Sequence, residues 1–216
     1  MADSGPERVR GVVLAGGRST RFGAENKALA TLDGRPLADR AVSAVAEATD
    51  GAPVLSVATD TQADRLTGAL QHREVETVYD SAAHAGPLAG LAAAVEAADA
   101  PWLFVCACDM PLVSADSVGA LTARLGQEGA GTDAELDAVV PVTDGYDQPL
   151  HALYRRSALA VAFDDLSESD TMMALLDRLT VERVEADKTD VALAAATTNV
   201  NTTADLESVR ERLDGG

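Results

Sequence analysis

The run Gly11-Val12-Val13-Leu14-Ala15-Gly16-Gly17-Arg18-Ser19-Thr20-Arg21-Phe22-Gly23, continuing through Ala24-Glu25-Asn26-Lys27-Ala28-Leu29, decides how the rest of this sequence is read. Gly11 to Leu14 form a short apolar stretch that reads as a buried strand, and it empties directly into a glycine-rich turn. Glycines let backbone N–H groups close on an anion without interference from a Cβ, and Arg21 and Lys27 add charge-assisted bonds to non-bridging oxygens. The pattern points to a phosphate-binding loop at the end of a first strand. It is neither of two better-known loops. No glycine in the chain is followed by lysine, as a P-loop requires, and Gly16 and Gly17 are adjacent where a dinucleotide fingerprint needs Gly-x-Gly-x-x-Gly.

Outward from this loop, short apolar runs alternate with alanine-rich helical stretches. Strands are expected near residues 11–14, 54–58, 75–79, 102–106, 138–142, 151–154 and 181–184. Helices are expected near 37–48, 62–70, 88–98, 115–125, 157–164, 171–179 and 203–213. Strand and helix in rotation imply an α/β domain with a mainly parallel sheet covered on both faces. The 216 residues suit one domain spanning 1–216, with 1–8 as a flexible N-terminal segment and the polar interval 126–135 as a surface loop. Ligands of such sheets sit beyond the carboxyl ends of the strands. The loop after Leu14, Asp80 after Tyr79, and Cys108-Asp109 after the 102–106 strand are all expected at that edge, facing one crevice.

Charge and composition narrow the partners. A net charge of −18 argues against nucleic acid, which is itself a polyanion. No stretch of eighteen apolar residues is present and the first six residues are polar, so a soluble, cytoplasmic protein without membrane contact is expected. Only Lys27 and Lys188 are lysines. An acidic, lysine-poor surface suits concentrated salt, where the Debye length falls to about 3 Å near 1 M, and a halophilic protein is expected. A sequence that otherwise avoids lysine yet places one in its phosphate loop needs that ammonium. Cys106 and Cys108 alternate on one strand, too close for an ordinary disulfide, and read as structural thiols. Asp109, at a strand end ahead of Met110-Pro111, suits Mg²⁺, which takes one or two protein carboxylates and completes its shell with water and phosphates; an ordinary turn cap is the alternative.

Residues 14 to 29 resemble the signature loop of nucleotidyltransferases, and within them the molybdenum cofactor guanylyltransferase family. Four further segments carry the same resemblance in the same order: Asp80 with Gly86-Pro87-Leu88-Ala89-Gly90, Cys108-Asp109-Met110-Pro111, Gln148-Pro149-Leu150-His151-Ala152-Leu153-Tyr154, and Asn199-Val200-Asn201-Thr202. Asn26 stands where an aspartate is common, so no carboxylate role is carried to it. The resemblance implies a Rossmann-like nucleotidyltransferase fold with a mixed, mainly parallel sheet. It implies transfer of GMP from GTP to the terminal phosphate of molybdopterin, with pyrophosphate leaving and the guanine dinucleotide cofactor formed. Lys27, Arg21 and Asp109 would carry the chemistry, with Mg²⁺ on Asp109. Leu14, Ala15, Gly16, Gly17, Lys27, Asp80 and Asp109 would hold the nucleotide.

For the acceptor, Gly86, Pro87 and Leu88 read as a tight turn opening a helix whose first amides face its phosphate. Gln148, Asn199 and Asn201 are uncharged polar groups suited to a pterin, although the two asparagines read equally well as a helix entry ahead of Asp205. His84 and His151 read as loop or packing residues. The rival readings are a CTP-dependent cytidylyltransferase, a guanylyltransferase for another phosphorylated acceptor, and a non-catalytic nucleotide-binding adaptor in cofactor delivery. Transient contacts with cofactor-biosynthesis or acceptor proteins would follow from any of them.

Overall fold

The computed structural model describes residues 7–16, 27–70, 73–125, 135–186 and 191–214. Its centre is β1 (Val9–Leu14), paired in parallel on one side with β4 (Val54–Val57) and on the other with β6 (Trp102–Ala107). β4 carries β5 (Glu76–Tyr79), again in parallel. β6 is followed across the sheet by antiparallel β9 (His151–Arg155), then β7 (Ala138–Thr143), which pairs in parallel with β10 (Val181–Glu185) and antiparallel with the short β8 (Tyr146–Asp147). The spatial order is β10-β7-β9-β6-β1-β4-β5, the mixed, mainly parallel sheet that the sequence implies. A separate hairpin pairs β2 (Thr31–Leu32) with β3 (Arg35–Pro36).

Every residue of β4 and β6 is buried, as befits parallel strands covered on both faces, and their side chains sort by period two. Val13, Leu55, Phe104 and Cys106 pack on the face of α1 (Leu37–Ala48), α2 (Asp60–Ala69), α4 (Ala115–Thr122) and α7 (Val191–Ala196). Val12, Leu14, Leu103 and Val105 pack on the face of α3 (Pro87–Ala97), α5 (Arg156–Asp164) and α6 (Met172–Leu176). A third, smaller cluster joins Leu32 and Leu37 at the hairpin to Val200 and Val209, so the last helix, α8 (Thr203–Asp214), docks on the hairpin rather than on the sheet.

The seven expected strands and seven expected helices are all present, with shifted ends. The 115–125 helix stops at Thr122 and the 171–179 helix shortens to Met172–Leu176, where the chain turns toward β10. The hairpin β2–β3, the strand β8 and the helix α7 have no counterpart in the sequence reading. Both hairpin turns carry Asp-Gly with positive φ at each residue, 51° and 75° at Asp33-Gly34 and 53° and 79° at Asp144-Gly145. That is the two-residue turn whose twist matches paired strands, so the dipeptides were the available signal. Residues 1–6 of the expected N-terminal segment and most of the 126–135 interval lie outside the described residues, as do Gly17 and Arg21.

Candidate active site

β1, β4, β5 and β6 run in parallel and end level with one another, Leu14 standing opposite Ser56 on one side and Ala107 on the other. The ladder continues just past these ends: Ala15 N donates to Ser56 O at 3.0 Å, Cys108 N to Leu14 O at 3.0 Å, and Asp80 N to Val57 O at 2.9 Å. Strand order reverses at β1, since β4 and β5 build outward on one side of it and β6 on the other. A ligand crevice is expected at such a switch point.

Lys27 and Asp109 meet there. A single 3₁₀ turn, Lys27–Leu29, is pinned by the buried Ala28 and by Ala30 N donating to Lys27 O at 3.1 Å. From this root the Lys27 ammonium forms an ion pair with Asp109 Oδ2, and it donates to Asn201 Oδ1 at 2.7 Å. The Lys27 side chain is 13% exposed and that of Asp109 20%, so the pair is shielded yet open to a ligand. Asp109 is steadied from behind by Val200 N, which donates to its carbonyl at 2.9 Å.

The other carboxylate oxygen, Asp109 Oδ1, is buried and has no hydrogen-bond partner among the described residues. An anionic oxygen left in that condition is unfavourable until a donor or cation reaches it. The donor set therefore fits a divalent cation held by one protein carboxylate together with water and phosphates. Among the described residues no group of three or more His, Cys, Asp or Glu side chains forms a complete metal cage.

Asp80 arrives from the far side of β1. A Cβ added at Gly16 would fall inside the Asp80 carboxylate, so only glycine permits this approach at the mouth of the phosphate loop. Burial raises the Asp80 pKa above the usual carboxylate range, and the Ser56 hydroxyl, donating to Oδ1 at 3.1 Å, opposes that rise. Two side chains absent from the sequence reading complete this edge. Ser56 is one. Gln62 is the other: its Nε2 donates to Ala15 O at 2.5 Å while its Oε1 accepts from Ala58 N at 2.7 Å, tying the exits of β1 and β4 together. Thr59 caps α2 by accepting from Gln62 N, and this Thr-x-x-Gln spacing was the signal that could have singled out Gln62.

The residues expected on the acceptor side stand in different settings. Asn201 touches Lys27 directly. It also serves the helix entry, because the N–H groups of Asn201 and Thr202 donate to the Asp205 carboxylate at 2.7 and 2.8 Å, which lowers the Asp205 pKa. Asn199 turns its amide toward Thr197 O at 3.4 Å, and Gln148 turns its own toward Tyr146 O at 3.3 Å. Leu150, two residues beyond Gln148, is the one that meets the end of β6, its carbonyl accepting from Ala107 N at 3.1 Å. Gly86 adopts φ 60° and ψ −142°, a conformation essentially confined to glycine, and opens α3. Of the amides at this helix start, Pro87 has no N–H and that of Ala89 donates to Gly86 O at 3.2 Å, while the Leu88 side chain is buried in the core. Burial pushes the Cys108 thiol up to about 12, with the Asp109 charge adding to the rise and Lys27 opposing it, so Cys108 stays a protonated packing group.

A parallel-centred sheet that brings a lysine from its first loop and an aspartate from beyond the next strand together at the switch point is the frame of a nucleotidyltransferase. The chain belongs to the MobA-like NTP transferase domain family, whose model matches residues 11–184. It is 35% identical over 205 residues to a protein of Bacillus licheniformis named "Probable molybdenum cofactor guanylyltransferase", covering 94% of this chain and 97% of that one. A protein of the same name from Natronomonas pharaonis is 30% identical over 208 residues, again covering 94% and 97%. The crystal structure of molybdopterin-guanine dinucleotide biosynthesis protein A from Archaeoglobus fulgidus superposes with a TM-score of 0.75 at 25% identity, covering 96% of this chain and all of that one.

His151, at the start of β9, lies beneath this crevice and is fully buried, with its ring 5.0 Å from that of Phe104 in an edge-on contact. Neither ring nitrogen has a hydrogen-bond partner among the described residues, and burial lowers its pKa to about 3. It is a packing residue held neutral. Because the unfolded chain binds a proton near pH 6.5 and the folded one does not, its contribution to stability is complete above pH 6.5 and declines as the pH falls toward 3. By pH 5 the loss should amount to about 2 kcal/mol. Urea unfolding of the wild type and His151→Leu at pH 7 and pH 5 should show the variant losing less stability between the two. Equal losses would mean that the ring gains a partner on acidification.

Proposed function

We propose that this chain transfers GMP from GTP to the terminal phosphate of molybdopterin or its metal-loaded form, acting as a single cytoplasmic domain. An oxygen of the acceptor phosphate bonds to the α-phosphorus of GTP, the bond from that phosphorus to the bridging oxygen breaks, and pyrophosphate leaves with the electron pair. The observation that carries this reading is the Lys27 ammonium joined to both Asp109 and Asn201 at the switch point, because it sets a phosphate-seeking cation between the two expected substrates. Relatives at 30% identity or more over nearly the whole chain support guanine as the base.

A phosphate monoester has a second pKa of about 6 and is already largely ionised at neutral pH, so no general base is required of the protein. What the residues supply is position and charge. Lys27 stabilises the triphosphate and the departing pyrophosphate, a role it shares with Arg21 in the same loop. Leu14, Ala15, Gly16 and Gly17 bring backbone groups to the nucleotide, with Asp80 set against Gly16 at the same mouth. Asp109 would hold Mg²⁺ through its Oδ1, and a bound Mg²⁺ neutralises charge on the transferring phosphate. Gly86, Pro87, Leu88, Gln148, Asn199 and Asn201 form the acceptor side.

A panel of GTP, CTP, ATP and UTP, each with Mg²⁺ and molybdopterin, tests the reading. Pyrophosphate should appear with GTP and only when the acceptor is present. A preference for CTP would replace guanylyl with cytidylyl transfer, and nucleotide binding without any turnover would leave an adaptor in cofactor delivery. In the same assay Asp109→Asn should lower turnover by about 10²-fold or more while the thermal midpoint is retained, the scale of losing a main electrostatic stabiliser. Near-normal turnover under limiting Mg²⁺ would move the metal away from Asp109, with Asp80 the next carboxylate to test.

A halophilic habit is part of the same reading and rests on the net charge of −18 with only two lysines. Raising KCl from dilute buffer to molar concentration should raise the thermal midpoint as carboxylate repulsion is screened. A flat or falling midpoint over that range would remove this part and leave the enzymatic assignment standing.

A further inference from the structure

Asn201 stands on the acceptor side of the crevice, yet its Oδ1 accepts from the ammonium that the nucleotide needs, at 2.7 Å. The groups around this contact differ in their freedom to move. Val200 is fully buried against Leu32, Leu37 and Val209, and its N–H holds the Asp109 carbonyl. The next two amides, of Asn201 and Thr202, are both tied to the Asp205 carboxylate. The root of Lys27 is fixed by its 3₁₀ turn and by the buried Ala28. Lys27 carries its ammonium on a four-carbon stem with several rotatable bonds.

We propose that Asn201 is a positioning residue that holds the Lys27 ammonium on Asp109 in the ligand-free protein, so that an entering triphosphate draws Lys27 away and releases the Asn201 carboxamide to the acceptor. This rests on the reading of the chain as a nucleotidyltransferase and assigns it an order of events. A lysine head has three N–H donors, and one given to Asp109 or Asn201 is not given to a phosphate oxygen at the same time. An acceptor that reaches the nucleotide-free protein competes with an ammonium for Asn201 Oδ1. One that reaches the nucleotide complex does not. Nucleotide binding therefore strengthens acceptor binding through a single shared side chain, and linkage makes the effect reciprocal.

The test is calorimetric titration with a GTP analogue blocked at its α,β bridge, with Mg²⁺ present and the acceptor absent, on the wild type, Asn201→Ala and Asn201→Ser. Each substitution is repeated in a Lys27→Met background, and circular dichroism with a thermal scan establishes that each variant folds. Both Asn201 variants should bind the analogue about two- to tenfold more tightly than the wild type, the range set by one lost hydrogen bond. The gain should vanish once Lys27 is methionine, a pattern that general loosening of the segment would not produce. Unchanged or weaker binding in the Asn201 variants, or a gain that survives without Lys27, overturns the proposal while wild-type binding keeps the nucleotide site intact. Absence of binding by the wild type would overturn the proposal together with the functional reading beneath it.

Discussion

The two-sided parallel ladder of β1 is the constraint on which the rest of this molecule depends. Because Leu14 is paired simultaneously with Ser56 and Ala107, the exits of three strands are fixed in one plane, and the next residue of each bonds back onto a neighbour. The exit of β1 at Ala15 and Gly16 and the two carboxylates are then placed by backbone geometry rather than by side-chain packing. The site inherits its positions from hydrogen bonds that are indifferent to surface charge, which suits a protein whose acidic groups outnumber its basic ones by 35 to 17.

The two carboxylates at this edge meet different physical conditions. Asp109 faces a cation and retains one oxygen without a protein partner among the described residues. Asp80 faces a glycine and a hydroxyl, and its environment makes ionisation less favourable. A carboxylate beside an ammonium is prepared for exchange of one cation for another, whereas a partly desolvated one is better suited to accept a hydrogen bond from a neutral donor such as a ribose hydroxyl or a base N–H. The division of labour follows from what stands next to each group, since the residue type is the same.

What could be read in the sequence was what depends on local pattern. Strand alternation, helix periodicity and the glycine-rich outlet of β1 are properties of short windows, and they led to the sheet and to the edge where Lys27, Asp80 and Asp109 stand. The Lys27 to Asn201 contact was not legible, because it joins residues 174 positions apart through a docking of α8 on the hairpin that no window reveals. Gln62 escaped because a helix-entry glutamine is ordinarily only a cap, and its second bond, to Ala15, becomes visible only once β1 and β4 are neighbours. Leu88 has a duty that its motif does not announce, since its side chain fills the core beneath α3.

The docking of α8 has a consequence for how the site comes into being during synthesis. Every strand of the sheet is encoded before Val200, so a chain emerging from the ribosome can assemble β1 to β10 while its C-terminal portion is still in the exit tunnel. At that stage β1 and β6 can already be paired, but the amide that holds the Asp109 carbonyl, the carboxamide that accepts from the Lys27 ammonium and the Val209 side chain that packs on the hairpin are still to come. The nascent domain is thus a folded scaffold that acquires its finished ligand-free geometry only when translation has passed α8 and the segment around Val200 and Asn201 has reached Asp109 and Lys27.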